Sequence, residues 1–258
     1  MSKLVFPNLL IGGHDPSGAG LQADIETCAA LEIPCVSVIT ALTVQNTSRV
    51  VRAQPVEADL FRETLLTLCE EVDCRYVKIG LIPNRAIAET LADFLQLQKN
   101  WTVVFDPVLV AGSGGNLGVH EDGREIVRIL APFTSLITPN LNEAKRLTTQ
   151  PDAESAACEL IGDGCKAVLI TDVEPSGAAV INRLFQSRGA IFECSVTRAQ
   201  GTYHGTGCTL SSAITALLSQ GDSLDRAVEF ATRFTSESLV RAYDYGGAQR
   251  LPNRTKKK

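Results

Sequence analysis

The sequence lacks the features that would assign it to a membrane protein or a nucleic-acid-binding protein. No apolar run reaches the roughly 20 residues that a helix needs to cross a bilayer. Basic residues are not in excess, since 24 lysines and arginines stand against 29 acidic residues and give a formal net charge of −5. Nucleic-acid-binding domains usually carry a basic surface. We therefore expect neither a membrane nor a nucleic acid among the partners of this chain.

The sequence also lacks the signs of a secreted, disulfide-bonded protein. The apolar segment Leu4–Gly13 contains Pro7, has no small-residue cleavage site, and runs into a glycine-rich turn, so we expect a buried first strand there. None of the eight cysteines forms a C-x-x-C pair. In a chain of 258 residues without a recognisable secretory signal, reduced thiols in the cytoplasm are the better interpretation.

The sequence does contain a regular alternation of apolar, β-type runs with helix-length amphipathic segments. Strands are predicted at Leu9–Gly12, Cys35–Leu42, Tyr76–Ile79, Thr102–Phe105, Ser135–Ile137 and Ala167–Ile170. Two later runs, Ala178–Phe185 and Ala190–Val196, predict an antiparallel hairpin. This order predicts an α/β fold with a mostly parallel sheet covered on both faces and a hairpin at one edge. We expect one domain over residues 1–251 and a basic, disordered tail at 252–258.

A first cluster of small residues lies between the first strand and the first helix, over Gly12–Gly20. Glycines allow a backbone to approach a ligand closely, and a helix N-terminus favours an anion or a polar group. The cluster matches neither the G-x-G-x-x-G fingerprint nor a Walker loop, which argues against the usual dinucleotide and P-loop sites. The alternative is an ordinary turn between a strand and a helix.

Polar residues follow three other predicted strands, where ligands of open α/β sheets bind. Gln45 and Asn46 could bind a heterocycle, or simply end a strand. Asp106 could orient a metal or a phosphate, or form an Asx turn. Asn140 and Glu143 stand three residues apart at a helix start, a spacing of oxygen ligands that suits Mg²⁺. The same pair is also typical of a capping box, and both interpretations can hold together.

The most informative motif is His204-Gly205-Thr206-Gly207-Cys208-Thr209, which opens a long apolar helix. Two glycines before a helix allow several N–H groups to point at one place and form an anion hole. We expect the pKa of the Cys208 thiol to fall there, so that a thiolate could accept a proton from a hydroxyl. The alternative is a buried structural cysteine. His14, His120 and His204 form no metal pattern, although His14 and His204 both lie at strand–helix junctions where they could meet.

Taken together, these motifs resemble the ribokinase-like superfamily and, within it, the hydroxymethylpyrimidine/phosphomethylpyrimidine kinases. The resemblance covers about residues 9–215. The motifs that carry it are Asp15-Pro16-Ser17-Gly18, Gln22-Ala23-Asp24, Ser37-Val38-Ile39-Thr40-Ala41-Leu42-Thr43, Gln45-Asn46-Thr47, Lys78-Ile79-Gly80, Asp106-Pro107-Val108, Leu136-Ile137-Thr138-Pro139-Asn140-Leu141, Glu143-Ala144 and His204-Gly205-Thr206-Gly207-Cys208-Thr209-Leu210-Ser211.

The resemblance implies a three-layer α/β/α fold, a homodimer, and ATP-dependent phosphorylation of 4-amino-5-hydroxymethyl-2-methylpyrimidine and its monophosphate, with Mg²⁺ as cofactor. It implies that the pyrimidine contacts Gly13, Ala19, Asp24, Gln45, Leu81 and Val108. It places the phosphates and Mg²⁺ against Asp106, Asn140, Glu143 and Thr171. It makes Gly205, Thr206, Gly207 and Cys208 the anion hole, with Cys208 as general base.

The sequence departs from the family pattern at three places. One glycine is missing from Gly18-Ala19-Gly20, and Leu81 replaces a common methionine. The usual Lys-Gly-Gly-His after the strand at Ala167–Ile170 is Thr171-Asp172-Val173-Glu174, which removes a cation and adds two acidic residues near the phosphates. Two alternatives stay open. One is a pyridoxal-type kinase, since pyridoxal also carries a ring hydroxymethyl group. The other, which the change at Thr171–Glu174 alone supports, is a catalytically weak paralogue that binds a pyrimidine.

Overall fold

One mixed sheet organises the part of the chain that the computed structural model describes, which comprises residues 6–108, 123–189 and 191–255. Its strands lie in the order β3-β2-β1-β4-β5-β6-β7-β8-β9. They span Asn8–His14 (β1), Cys35–Gln45 (β2), Val50–Pro55 (β3), Tyr76–Ile79 (β4), Thr102–Phe105 (β5), Leu136–Ile137 (β6), Ala167–Ile170 (β7), Ala179–Gln186 (β8) and Ile191–Thr197 (β9).

Parallel pairing runs through the centre of the sheet, and antiparallel strands close both edges. Strands β2, β1, β4, β5, β6 and β7 pair in parallel. Strands β8 and β9 add to β7 as antiparallel neighbours, which confirms the predicted hairpin. Strand β3, which pairs antiparallel with β2, was not predicted from the sequence. This strand carries Arg52, Gln54 and Pro55 and is largely exposed, so it has no apolar alternation, and proline is tolerated there because the strand lies at the edge.

Helices cover both faces of the sheet, which confirms the α/β/α architecture. Helices α1, α7 and α8 pack on one face, and α2 to α6 pack on the other. The helices span Gly20–Ala30 (α1), Ala58–Glu71 (α2), Arg85–Gln96 (α3), Gly123–Leu130 (α4), Leu141–Thr148 (α5), Ala153–Gly162 (α6), Thr206–Ser219 (α7) and Leu224–Val240 (α8). No helix in these ranges is long and apolar enough to cross a membrane.

Strand β7 shows why the central strands are apolar on both faces. All four of its residues are buried. Val168 and Ile170 belong to the core beneath α2 to α6, whereas Ala167 and Leu169 belong to the core beneath α7 and α8. Each large aliphatic side chain buried in this way contributes roughly 1.5–3 kcal/mol, so a strand between two helical layers gains from apolar residues at every position.

The end of the chain differs from the predicted disordered tail at 252–258. Pro252 and Arg254 are buried, and the Asn253 N–H donates to the Ser238 carbonyl at 3.0 Å. The Arg254 guanidinium contacts Glu26 at 2.8 Å. The segment is polar in sequence, but its polar groups find partners in the fold, and its composition alone could not reveal this. Residues 256–258 lie outside the described ranges.

Candidate active site

A cavity of about 480 Å³ lies at the carboxyl ends of the parallel strands, beside the start of α7. A volume of this size suits a small-molecule ligand, and the position is where open α/β sheets bind ligands. The site residues predicted from the sequence line this cavity, with the exceptions of Asp24 and Asn46, whose Oδ1 instead accepts from the N–H groups of Ser48 and Arg49 in a turn. Those that line it are Gly13, Ala19, Gln45, Leu81, Asp106, Val108, Asn140, Glu143, Thr171, Gly205, Thr206, Gly207 and Cys208.

Asp24 lies behind the cavity wall, where it forms an ion pair with Lys78. The two charged atoms are 2.8 Å apart, and the side chains are 0% and 1% exposed. The second carboxylate oxygen of Asp24 accepts a hydrogen bond from the Ser212 hydroxyl at 2.7 Å. With both oxygens engaged and no exposed surface, Asp24 supports the site from behind and does not reach a ligand directly. This corrects the expectation that it contacts the pyrimidine.

Lys78 itself lines the cavity, and the sequence analysis gave it no role. Burial alone would lower the pKa of its ammonium group. The negative charges of Asp24, Cys208 and Asp106 and the hydrogen bond to Asp24 outweigh burial and raise the pKa above its ordinary value. Lys78 therefore keeps a full positive charge in the cavity floor. A lysine within the apolar strand β4 was the signal that could have revealed it, because lysine is rarely buried without a charged partner.

The glycine cluster after β1 is held in place by a buried polar group. Asp15 accepts hydrogen bonds from the Ser17 hydroxyl at 2.6 Å and from His204 Nε2 at 2.6 Å. Burial would raise the pKa of the Asp15 carboxyl, but these hydrogen bonds lower it to about 2. His204 thus meets Asp15, while the exposed His14 does not take this position. His120 lies outside the described residues.

Three buried side-chain polar atoms at the cavity have no hydrogen-bond partner among the described residues. They are Gln45 Oε1, His204 Nδ1 and Thr235 Oγ1. A buried polar atom without a partner is costly, and such atoms usually mark a place where a ligand or water binds. Gln45 lies at the end of β2 and lines the cavity, so its free oxygen is an acceptor for a ligand that carries an N–H group.

Two acidic side chains, Asp106 and Glu143, lie on the same part of the cavity. Burial raises the pKa of both carboxyl groups, and the charge of Asp106 adds to the effect on Glu143, whose pKa rises to about 8. Glu143 also closes a capping box, in which Asn140 Oδ1 accepts from the Glu143 N–H at 3.0 Å and Glu143 accepts from the Asn140 N–H at 2.9 Å. The described residues contain no group of three or more metal-ligating side chains.

Two carboxylates are enough protein ligands for Mg²⁺, but they are too few for a metal whose ligands all come from the protein. Magnesium usually keeps several waters and binds one or two carboxylates together with the phosphates of a substrate. Two buried carboxyl groups that repel each other are stabilised in their charged forms by a cation. The capping role and the cation role are compatible, because the capping hydrogen bond uses one of the two carboxylate oxygens of Glu143.

The start of α7, where an anion hole is predicted, lies at the cavity. Gly205 precedes the helix with φ of +81°, a conformation that favours glycine. A Cβ at this position would lie 2.8 Å from Arg254 Nη2 and 3.1 Å from Ala19 Cα, so a side chain would also be crowded. The first N–H groups of a helix have no partner within the helix, and those of Thr206, Gly207 and Cys208 lie at the cavity.

The expectation of a low thiol pKa at Cys208 is wrong. Burial raises the pKa of this thiol to about 12, and the charges of Asp106 and Asp24 add to the effect of burial, whereas Lys78 opposes it. The helix N-terminus is therefore outweighed by burial and by two nearby carboxylates. Neither could be seen in the local sequence, because Asp24 and Asp106 come from distant parts of the chain.

The segment after β7 does not add the uncompensated negative charge that its sequence suggested. Asp172 forms a bidentate ion pair with Arg198, with N–O distances of 2.6 and 2.8 Å. Arg198 also donates to the carbonyls of Gly177, Glu174 and Ala179, so it fixes the whole turn before β8. Thr171 lines the cavity, and Glu174 is exposed. The sequence analysis missed Arg198 because its partner lies 26 residues away.

Comparison with known proteins identifies the relatives of this chain. A family model described as phosphomethylpyrimidine kinase matches residues 15–253. A hydroxymethylpyrimidine/phosphomethylpyrimidine kinase of Aquifex aeolicus is 35% identical over 92% of this chain and 96% of its own length. Another of that name from Salmonella typhimurium is 37% identical over 91% of each chain.

Among solved structures, a Staphylococcus aureus pyridoxal kinase in complex with AMP-PCP and pyridoxal has the same fold. It superposes with a TM-score of 0.85 and covers 97% of this chain and 94% of its own, at 22% identity. At that level of identity the likeness concerns the fold alone.

We predict that Lys78→Met lowers the free energy of unfolding by about 3–5 kcal/mol, since removing one partner leaves a buried charge on Asp24. Urea unfolding measures this change. The control is Arg62→Met, which breaks an exposed pair with Asp93 and is expected to cost less than about 1 kcal/mol. A cost for Lys78→Met no larger than that of the control would contradict the importance of the buried pair.

Proposed function

The chain belongs to the phosphomethylpyrimidine kinase family, and on that premise we propose that it transfers the γ-phosphoryl group of ATP to 4-amino-5-hydroxymethyl-2-methylpyrimidine and then to the monophosphate. The observation that carries the proposal is the anion hole at Gly205–Cys208, which faces the same cavity as the unpartnered amide oxygen of Gln45. One end of the cavity suits phosphate, and the other suits a ring that bears an amino group. The product belongs to thiamin biosynthesis.

In the proposed complex, the pyrimidine ring lies between the glycine cluster and Leu81, and its amino group donates to Gln45 Oε1. Its hydroxymethyl group points toward the start of α7. Phosphoryl transfer proceeds through a loose transition state that needs positioning and charge stabilisation more than covalent chemistry. The N–H groups of Thr206, Gly207 and Cys208 and the ammonium of Lys78 supply that stabilisation from fixed positions.

ATP is the proposed cosubstrate, with its phosphates between the anion hole and the residues Asn140, Glu143 and Thr171. Asp106 and Glu143 would hold Mg²⁺, which would neutralise charge on the phosphates when it is bound. Asn140 and Glu143 orient each other through the capping box, so the helix α5 is fixed at the point where phosphates approach. The Asp172–Arg198 pair holds the neighbouring turn without placing free negative charge against ATP.

We propose that Cys208 acts as a thiolate, stabilised by the Lys78 ammonium, and accepts the proton of the substrate hydroxyl because of its position at the start of α7. We predict that Cys208→Ala lowers kcat far more than it weakens pyrimidine binding, measured by ADP release and by calorimetry. Cys208→Ser, which keeps a polar side chain of similar size, is the control for packing. Near-normal turnover in Cys208→Ala would instead assign the contribution of this position to its backbone N–H.

A homodimer is proposed from an exposed apolar surface on strands β2 and β3. Ile39, Leu42, Val44 and Val51 are 38%, 51%, 49% and 64% exposed. Ile39 and Leu42 are three residues apart, but both are exposed. The pairing of β2 with β1 shifts by one residue between them, so that the two intervening residues, Thr40 and Ala41, are both buried. Several exposed apolar side chains on one pair of strands are a candidate interface. The free state of all eight cysteines is consistent with a cytoplasmic location.

We expect light scattering to give the mass of a dimer for the wild-type chain and of a monomer for Leu42→Asp. The charge placed in the apolar surface would have no partner after association. The control is Leu97→Asp, at a residue that is 73% exposed at the end of α3 and away from this surface. A monomeric wild-type chain, or a dimer unaffected by Leu42→Asp, would exclude this interface.

The function is tested by ADP release with Mg-ATP, with hydroxymethylpyrimidine or pyridoxal at matched concentrations. We expect turnover that depends on the pyrimidine. An analogue with a methyl in place of the hydroxymethyl group should bind without turnover, which controls for ATP hydrolysis. Faster turnover with pyridoxal would show a pyridoxal-type kinase. Binding of the pyrimidine without turnover would show the catalytically weak paralogue.

A further inference from the structure

Arg254, near the end of the chain, is a buried cation that the catalytic account above does not use. It is 3% exposed, although it is flanked by polar residues and comes after the last helix. Burial of an arginine is rare without specific partners. Its guanidinium does not line the cavity, since it lies behind the cavity wall. Its partners therefore indicate what it holds in place.

The three nitrogens of the guanidinium bind three different elements. Nε donates to Thr209 Oγ1 at 2.8 Å, Nη1 to Glu26 at 2.8 Å, and Nη2 to the Gly18 carbonyl at 3.1 Å. Gly18 belongs to the glycine cluster, and Thr209 lies in the first turn of α7. One side chain thus joins the glycine cluster to the start of α7, two adjacent segments that both contribute residues to the cavity lining.

A chain of hydrogen bonds continues from Arg254 to the anion hole. The Thr209 hydroxyl accepts from Arg254 and donates to the Gly205 carbonyl at 2.8 Å. The Thr209 N–H donates to the same carbonyl at 3.0 Å. That carbonyl and the Thr206 N–H belong to one peptide group. Donation to the carbonyl fixes the plane of this peptide and polarises its N–H, since hydrogen bonds in series strengthen one another.

The chain end is seated so that Arg254 has little freedom. The Arg250 carbonyl accepts from the His204 N–H at 2.9 Å, and the backbone groups of Tyr243 and Leu251 bond to each other at 2.8 and 3.0 Å. Leu251 packs against Gly18, where an added Cβ would lie 3.2 Å from Leu251 Cδ1. The final segment therefore contacts the same two loops through its backbone, its apolar side chain and its guanidinium.

We propose that Arg254 is a positioning residue for phosphoryl transfer, which aligns the Gly205–Thr206 peptide of the anion hole with the glycine cluster. The predicted effect of Arg254 on kcat rests on the proposed function. Arginine suits this role because its planar fork reaches three acceptors in fixed directions, which a lysine ammonium cannot reproduce.

The test compares Arg254→Ala and Arg254→Lys with Arg250→Ala, which removes an exposed arginine of the same segment that pairs with Asp244. We expect Arg254→Ala to lower kcat roughly a hundredfold, as a misplacement of about 1 Å can do, with little change in the KM for the pyrimidine. Arg254→Lys should be intermediate, and Arg250→Ala should keep the wild-type kcat. Thr209→Val, which breaks the hydrogen-bond chain but keeps Arg254, should also lower kcat.

Hydrogen exchange gives a second readout that does not depend on activity. Amides of residues 13–22 and 203–210 should exchange faster in Arg254→Ala than in Arg250→Ala. The inference is overturned if Arg254→Ala matches Arg250→Ala in kcat and in exchange, or loses thermal stability while kcat stays at the wild-type value. If the wild-type chain releases no ADP with either substrate, the proposed function fails, and the exchange measurement alone decides on Arg254.

Discussion

The ion pair between Lys78 and Asp24 joins the three elements that form the candidate active site. Lys78 belongs to β4, Asp24 to α1, and the Ser212 hydroxyl that completes the group belongs to α7. Two buried charges are tolerable only as a pair, so β4, α1 and α7 are held to one arrangement. The glycine cluster lies immediately before α1, and the predicted anion hole lies at the start of α7. The geometry of both loops therefore depends on a contact that lies beneath them.

The electrostatics of the cavity follow from the same arrangement. Asp24 and Asp106 bring negative charge into a buried region, and the pKa values of Asp106, Glu143 and Cys208 rise as a result of burial and of this charge. Lys78 offsets part of it. A nucleotide with several phosphates would add further negative charge. A cation between the carboxylates and the phosphates would reduce the repulsion between these groups. The structure thus gives a physical reason to expect a divalent ion with ATP.

Much of the fold could be predicted because the spacing of apolar residues, which distinguishes strands from helices, is visible within short segments of the sequence. The strand–helix alternation, the late hairpin and the position of polar residues after strands followed from the order of residues. Strand β3 could not be predicted, because an exposed edge strand such as Val50–Pro55 has no apolar face. The ion pair of Asp24, the raised pKa of the Cys208 thiol and the contacts of Arg254 also escaped sequence reasoning. Each depends on a partner far away in sequence, such as Lys78 for Asp24 or Glu26 for Arg254.

A crystal structure with hydroxymethylpyrimidine and AMP-PCP bound would test the account most directly. The account predicts that the ring amino group lies within hydrogen-bond distance of Gln45 Oε1, and that the hydroxymethyl oxygen and the terminal phosphate meet at the N–H groups of residues 206–208. A pyrimidine bound elsewhere, or a terminal phosphate away from the start of α7, would contradict it.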